Sequence, residues 1–140
     1  MSTFTRKQII ETAREFLGTP YSHQGRVNGV GIDCVGLVAE VCKIVGFEVQ
    51  DHLNYSSQPS GILPRILREN GFIEKGLEEF LPGDLGVFYF AKPDLPQHIA
   101  IFSDYGMIHT WTRVRKVVEH AFNNKWKKRM TNVFEFPGVI

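Results

Sequence analysis

The hydrophobic period changes once along this chain, at Leu81-Pro82-Gly83-Asp84. Upstream, apolar residues recur at steps of three and four; downstream, they fall into short runs and alternations. Thr5 and Gln8 match a capping box, and Phe4 and Ile9 have the spacing of a hydrophobic staple. Ile9, Ile10, Ala13, Phe16 and Leu17 then form a helical stripe that Gly18 ends. A second helix is expected over about 32–46, with Cys34, Leu37, Val38, Val41 and Val45 on one face. The glycine-bearing segment 19–31 between them reads as a loop. A polar stretch leads to a short helix over about 62–70, started by Ser60 and closed by Gly71. Beyond the switch, residues 85–90, 97–103, 107–112, 115–120 and 131–136 read as strands. Helices first and strands second is the order of an α+β domain with N-terminal helices packed on a C-terminal antiparallel sheet.

Length and charge narrow the function classes. A chain of 140 residues is most simply one domain, residues 1–140, large enough to bury a core. The net charge of +1 gives no electrostatic case for binding nucleic acid or an anionic membrane surface. No stretch reaches the roughly 20 apolar residues of a membrane span. The N-terminus lacks the apolar core of a secretory signal, so synthesis in the cytoplasm without a signal peptide is expected. Cys34 and Cys42 lie about 12 Å apart along one expected helix, too far for a disulfide. Free thiols suit a reducing compartment.

Chemistry concentrates where the glycine-rich loop becomes the second helix. Cys34 stands at that helix start, where exposed N–H groups and the helix dipole are expected to favour the thiolate. His98 and His109 fall on one expected hairpin. With Asp104-Tyr105 as a two-residue loop, Ser103 pairs with Gly106 and partner positions sum to 209. The histidines are then diagonal neighbours on one face, within side-chain reach; a three-residue loop without a bulge would separate them. A thiol and an imidazole so placed are the parts of a nucleophile and its base. His98, opening a strand, is the base candidate, and His109 is placed to hold its second nitrogen. The Cys34 backbone N–H and the Tyr21 hydroxyl are candidate donors to an oxyanion.

Plainer readings attach to several residues. Cys42 reads as core, and Asp33 reads equally as a helix cap. The glycines lack the Lys-Ser/Thr that completes a phosphate loop. A zinc site from Cys34, His98 and His109 lacks paired ligand spacing, so no metal or other cofactor is expected. His23, His52 and His120 read as surface or turn residues. Lys125, Lys127, Lys128 and Arg129 read as a solvated face, with Trp126 packing inward.

The run Gly18-Thr19-Pro20-Tyr21, then Gly25, then Gly31-Ile32-Asp33-Cys34-Val35-Gly36-Leu37-Val38, resembles the nucleophile region of the NlpC-type cell-wall cysteine peptidases. Leu81-Pro82-Gly83-Asp84-Leu85, His98-Ile99-Ala100-Ile101 and Met107-Ile108-His109 resemble that family's later blocks, in order. Val117-Val118-Glu119-His120, Trp126 with its basic neighbours, and Phe134-Glu135-Phe136-Pro137 are similar to a single-domain subgroup associated with phage tails. The resemblance implies a minimal papain-like fold and hydrolysis of peptidoglycan stem peptides, typically between D-glutamate and the diamino acid. It implies Cys34 as nucleophile, His98 as base and His109 as the orienting third residue. Tyr21 would assist the oxyanion and Asp33 would meet a polar substrate group. The family usually has Ser after the nucleophile, where this chain has Val35, so a hydroxyl for substrate recognition is missing. Targeting to the wall is expected to come from a partner such as a phage tail protein. Three rival expectations keep parts of this picture: a protease acting on a tail protein, a non-catalytic tail or wall-binding module, and a thiol acyltransferase on the same fold.

Overall fold

The computed structural model describes residues 3–51, 55–58 and 60–140. Two helices, α1 (Arg6–Arg14) and α2 (Cys34–Val45), are separated by a two-residue-stranded hairpin, β1 (Arg26–Val27) and β2 (Gly31–Ile32). A short α3 (Leu63–Glu69) and β3 (Ile73–Lys75) follow. Then come β4 (Leu85–Phe88), β5 (His98–Phe102), β6 (Met107–Trp111) and β7 (Lys116–His120). The helical turn α4 (Asn124–Lys127) and β8 (Met130–Glu135) complete the chain. Six strands form one antiparallel sheet in the order β3-β8-β4-β5-β6-β7.

The helix punctuation works as the residues dictate. Thr5 and Gln8 exchange both capping-box bonds, at 3.0 and 2.8 Å. Asp33 caps α2 by accepting from the Gly36 N–H at 2.7 Å, and Gly46 ends α2 in the left-handed region at φ 93°. The α1 stripe is shorter than expected: the helix stops at Arg14, and Leu17 in the turn before Gly18 is 43% exposed. Ile62 is the N-cap of α3 and makes no side-chain cap bond, so Ser60 does not start the helix.

Both faces of the sheet are covered, which is why β4 and β5 are buried along their whole length. On one face, Ile99, Ile101, Ile108 and Phe134 pack with Ile9, Ile10, Leu37 and Val41 of the two long helices. On the other, Ala100, Phe102, Met107, Met130 and Trp126 form a second, aromatic-rich cluster with Phe88. Trp126 packs inward, while Lys125, Lys127, Lys128 and Arg129 are exposed, as the sequence suggests.

Two charged clusters tie the helix layer to the sheet. Asp84, fully buried, binds Arg6 of α1 at 2.8 Å and Lys75 of β3 at 2.7 Å, and accepts from the Leu81 N–H at 2.8 Å. Arg14 holds Glu119 of β7 at 2.8 Å and Asp104 at 2.6 Å, while Ser103 donates to Glu119 at 2.7 Å. The second cluster fixes the β5–β6 turn. Ile101 faces Ile108, Phe102 faces Met107, and the Ser103 N–H reaches the Gly106 carbonyl at 2.9 Å. That is the two-residue Asp104-Tyr105 loop on which the histidine argument depends.

Candidate active site

Asp33 builds the corner on which Cys34 sits. Its carboxylate caps α2 and also accepts from the Gln24 N–H at 2.7 Å, from Arg26 at 3.1 Å and from the Tyr55 hydroxyl. Arg26 is shared with Asp51 at 2.8 Å. These bonds draw the glycine loop against the helix start so closely that a side chain at Gly36 would strike the Gly25 carbonyl, 2.2 Å from its Cβ position. Asp33 is therefore the helix cap and the hub of a polar cluster, and it is buried.

Cys34 and His98 line one groove, together with Tyr21, Asp33, Tyr55, Gln97 and Thr110. Tyr21 is held there through its backbone: its N–H donates to the Arg115 carbonyl at 2.9 Å, and it bridges to Ile32. Burial, then the charges of Asp33 and Cys34, raise the Tyr21 pKa, so its hydroxyl keeps its proton and stays a donor. Gln97 Oε1 and Thr110 Oγ1 are buried and have no hydrogen-bond partner, although both residues line the groove.

His98 and His109 meet as the diagonal register requires: His98 Nε2 lies 2.6 Å from His109 Nδ1. This leaves Nδ1 as the His98 nitrogen available to a thiol. Both rings are buried, at 4% and 0% exposure, against Phe90, Trp111 and Trp126. Burial, followed by the charge of His120, pushes His98 down to about 3. Burial, His98 and His120 push His109 down as well.

The thiol departs from expectation. Burial first, and the neighbouring Asp33 charge second, push Cys34 up to about 12. Hydrogen bonds from the backbone of Ile99, Val35 and Cys34 itself act in the opposite direction and do not prevail. The helix-start argument for a standing thiolate is thus outweighed by desolvation. Raised at the thiol and lowered at the imidazole, these values make the pair a neutral thiol beside a neutral imidazole, and among the described residues no hydrogen bond joins them.

His120 is the main residue that sequence reasoning misplaced. It is not a free surface residue: its Nε2 lies 2.8 Å from His109 Nε2, and its Nδ1 lies 2.9 Å from the Ala121 carbonyl. The signal was present. In the β6–β7 hairpin His109 pairs with Val118 and Met107 with His120, so His120 is diagonal to His109 just as His98 is. The three imidazoles bond in series and do not converge on one point. His23 is exposed in its turn, as expected, and packs edge-on against Tyr55 at the groove rim. His52 lies outside the described residues.

A helix delivering a cysteine to an antiparallel sheet that carries two bonded histidines defines a papain-like architecture. Residues 18–135 match the sequence pattern of the NlpC/P60 family, and the chain belongs to that family. It is 24% identical over 135 residues to a gamma-DL-glutamyl hydrolase of Bacillus subtilis. That match covers 94% of this chain and 29% of the relative. Its fold is similar to that of an NlpC/P60 family protein from Bacillus cereus (TM-score 0.72, 24% identity, 94% of this chain and 40% of the other). It is also similar to the NlpC/p60 domain of the peptidoglycan hydrolase SagA (TM-score 0.68, 20% identity, 94% and 99%). The chain thus spans less than half the length of two of these three proteins, and nearly all of the third.

Proposed function

We propose that this chain is a cysteine peptidase of peptidoglycan stem peptides, cutting between D-glutamate and the diamino acid. One observation carries the reading: Cys34 and His98 share the walls of a groove, with His98 Nε2 bound to His109 and Nδ1 left for the thiol. The similarity to the gamma-DL-glutamyl hydrolase of Bacillus subtilis supports a γ-glutamyl bond as the target. The resemblance of the C-terminal blocks supports a phage tail or phage-like particle as the carrier.

The neutral pair sets the order of events. His98 Nδ1 takes the thiol proton as sulfur attacks the carbonyl carbon, so the thiolate never stands alone in the groove. The oxyanion develops beside the Cys34 N–H and the Tyr21 hydroxyl. His98 then protonates the leaving amine, and a water activated by the same nitrogen releases the acyl group from Cys34. Gln97 Oε1 and Thr110 Oγ1 offer unused hydrogen-bonding capacity to a substrate. They stand in a groove where Val35 supplies no hydroxyl.

The test is incubation with a synthetic stem tetrapeptide, L-Ala-γ-D-Glu-diaminopimelate-D-Ala, with products identified by mass spectrometry. Two fragments from cleavage after D-glutamate are expected. An intact tetrapeptide, with tail proteins cut or acyl groups transferred in parallel incubations, would refute the reading in favour of an assembly protease or an acyltransferase.

A further inference from the structure

Hydrogen-bond polarity can be read along the three imidazoles from one end. The Ala121 carbonyl only accepts, so His120 Nδ1, 2.9 Å away, carries a proton. A neutral His120 then has a bare Nε2, which must accept from His109 Nε2 at 2.8 Å. His109, protonated there, has a bare Nδ1 that accepts from His98 Nε2 at 2.6 Å. His98 is left with a bare Nδ1, the state a base requires. With His120 neutral, the opposite polarity would set a lone pair against the Ala121 carbonyl oxygen.

The chain of rings also runs from a buried to an accessible place. His98 and His109 are enclosed by aromatic rings, whereas His120 is half-buried. Among the described residues no carboxylate bonds to any of the three rings; Glu119, next to His120, is engaged by Arg14 and Ser103. Among the described residues, the charge of His120 bears on His98, and the charges of His98 and His120 bear on His109. A cation on His98 is therefore poorly housed, and among the described residues the hydrogen-bonded route outward from it leads through His109 to His120.

We propose that His120 is a positioning residue that fixes the tautomer of His98 through His109 and holds the positive charge while Cys34 is bonded to the tetrahedral intermediate. When sulfur attacks, its proton passes to His98 Nδ1. The His98 Nε2 proton moves to His109 Nδ1, and the His109 Nε2 proton moves to His120 Nε2. His98 and His109 end neutral, and His120 ends with protons on both nitrogens. Collapse of the intermediate reverses each transfer, with the His98 Nδ1 proton going to the leaving amine.

This inference rests on the peptidase reading for its purpose, but its test does not. Long-range proton–nitrogen correlation on histidine-labelled protein reports each tautomer directly. The expected pattern is Nε2–H on His98 and His109 and Nδ1–H on His120; Nδ1–H on His109 in the wild type would overturn the proposal. Two variants add a chemical readout, the pH profile of Cys34 alkylation by iodoacetamide. His120→Phe removes both acceptor and charge site, and alkylation at neutral pH is expected to slow by about tenfold or more. His120→Gln still accepts from His109, so it is expected to restore the tautomers but not the full rate. Unchanged tautomers and an unchanged alkylation profile in folded His120→Phe would overturn the proposal. If the expected tautomers and profiles appear while peptidoglycan stays intact, the relay stands and the peptidase reading fails.

Discussion

Acidification from pH 7 to pH 5 should destabilise this protein more than its carboxylates alone would allow. An unfolded histidine titrates near 6.5, whereas burial pushes His98 down to about 3 and pushes His109 down also. Both folded-state values are depressed, so below 6.5 the unfolded chain binds protons that the folded chain refuses. Their stabilising contribution is complete above pH 6.5 and is lost as pH falls towards the folded value. Over the window from 7 to 5 each buried neutral histidine removes about 2 kcal/mol, and the pair about 4 kcal/mol. Asp104, Glu119 and Glu74 are all held low by their hydrogen bonds, and unfolded carboxylates titrate near 4, so most of their effect falls below this window. Urea unfolding at the two pH values measures the difference. In His109→Gln the loss should shrink by about 2 kcal/mol, because one refused proton is gone. Equal pH dependence in wild type and variant, or no loss in the wild type, would refute the picture of two neutral buried rings.

Three further outcomes follow from particular contacts. Asp84→Asn removes the charge that Arg6 and Lys75 share in the core, and chemical denaturation should show a loss of about 3–5 kcal/mol. Thr110→Val deletes a hydroxyl without a partner, so stability should hold or rise by about 1 kcal/mol. The same variant should raise KM for the stem tetrapeptide if that hydroxyl meets substrate. Gly106→Ala places a Cβ 2.0 Å from the His120 carbonyl oxygen, so it must displace the start of β6 or the end of β7. Altered His120 ring resonances and slower Cys34 alkylation are expected, with the protein still folded.

The legible part of the fold was whatever a single period or a single turn decides. Asp104-Tyr105 between alternating runs sets a register, and that register brings His98 to His109 without further information. Asp33 and Gly46 mark the ends of α2 for the same local reason. What escaped reading depends on partners distant in sequence. β1, β2 and β3 have two or three residues each, too few to show a period, and they exist because neighbouring chain pairs with them. β5 is buried on both faces, by the long helices and by the aromatic cluster around Trp126, so a polar alternation carried little weight there. The Cys34 proton affinity is set by desolvation of the sulfur and by the Asp33 charge beside it, against backbone hydrogen bonds such as that of Ile99, which helix position alone does not reveal. His120 was within reach of the diagonal rule, one hairpin further along.

The central claim is that Cys34 is the nucleophile that cuts wall peptide. Purified peptidoglycan should be digested with wild type and with Cys34→Ala, both verified as folded, and the soluble products analysed by mass spectrometry. Stem-peptide fragments that begin at the diamino acid, released by the wild type and absent with Cys34→Ala, are the expected result. Equal release by both proteins would contradict the account.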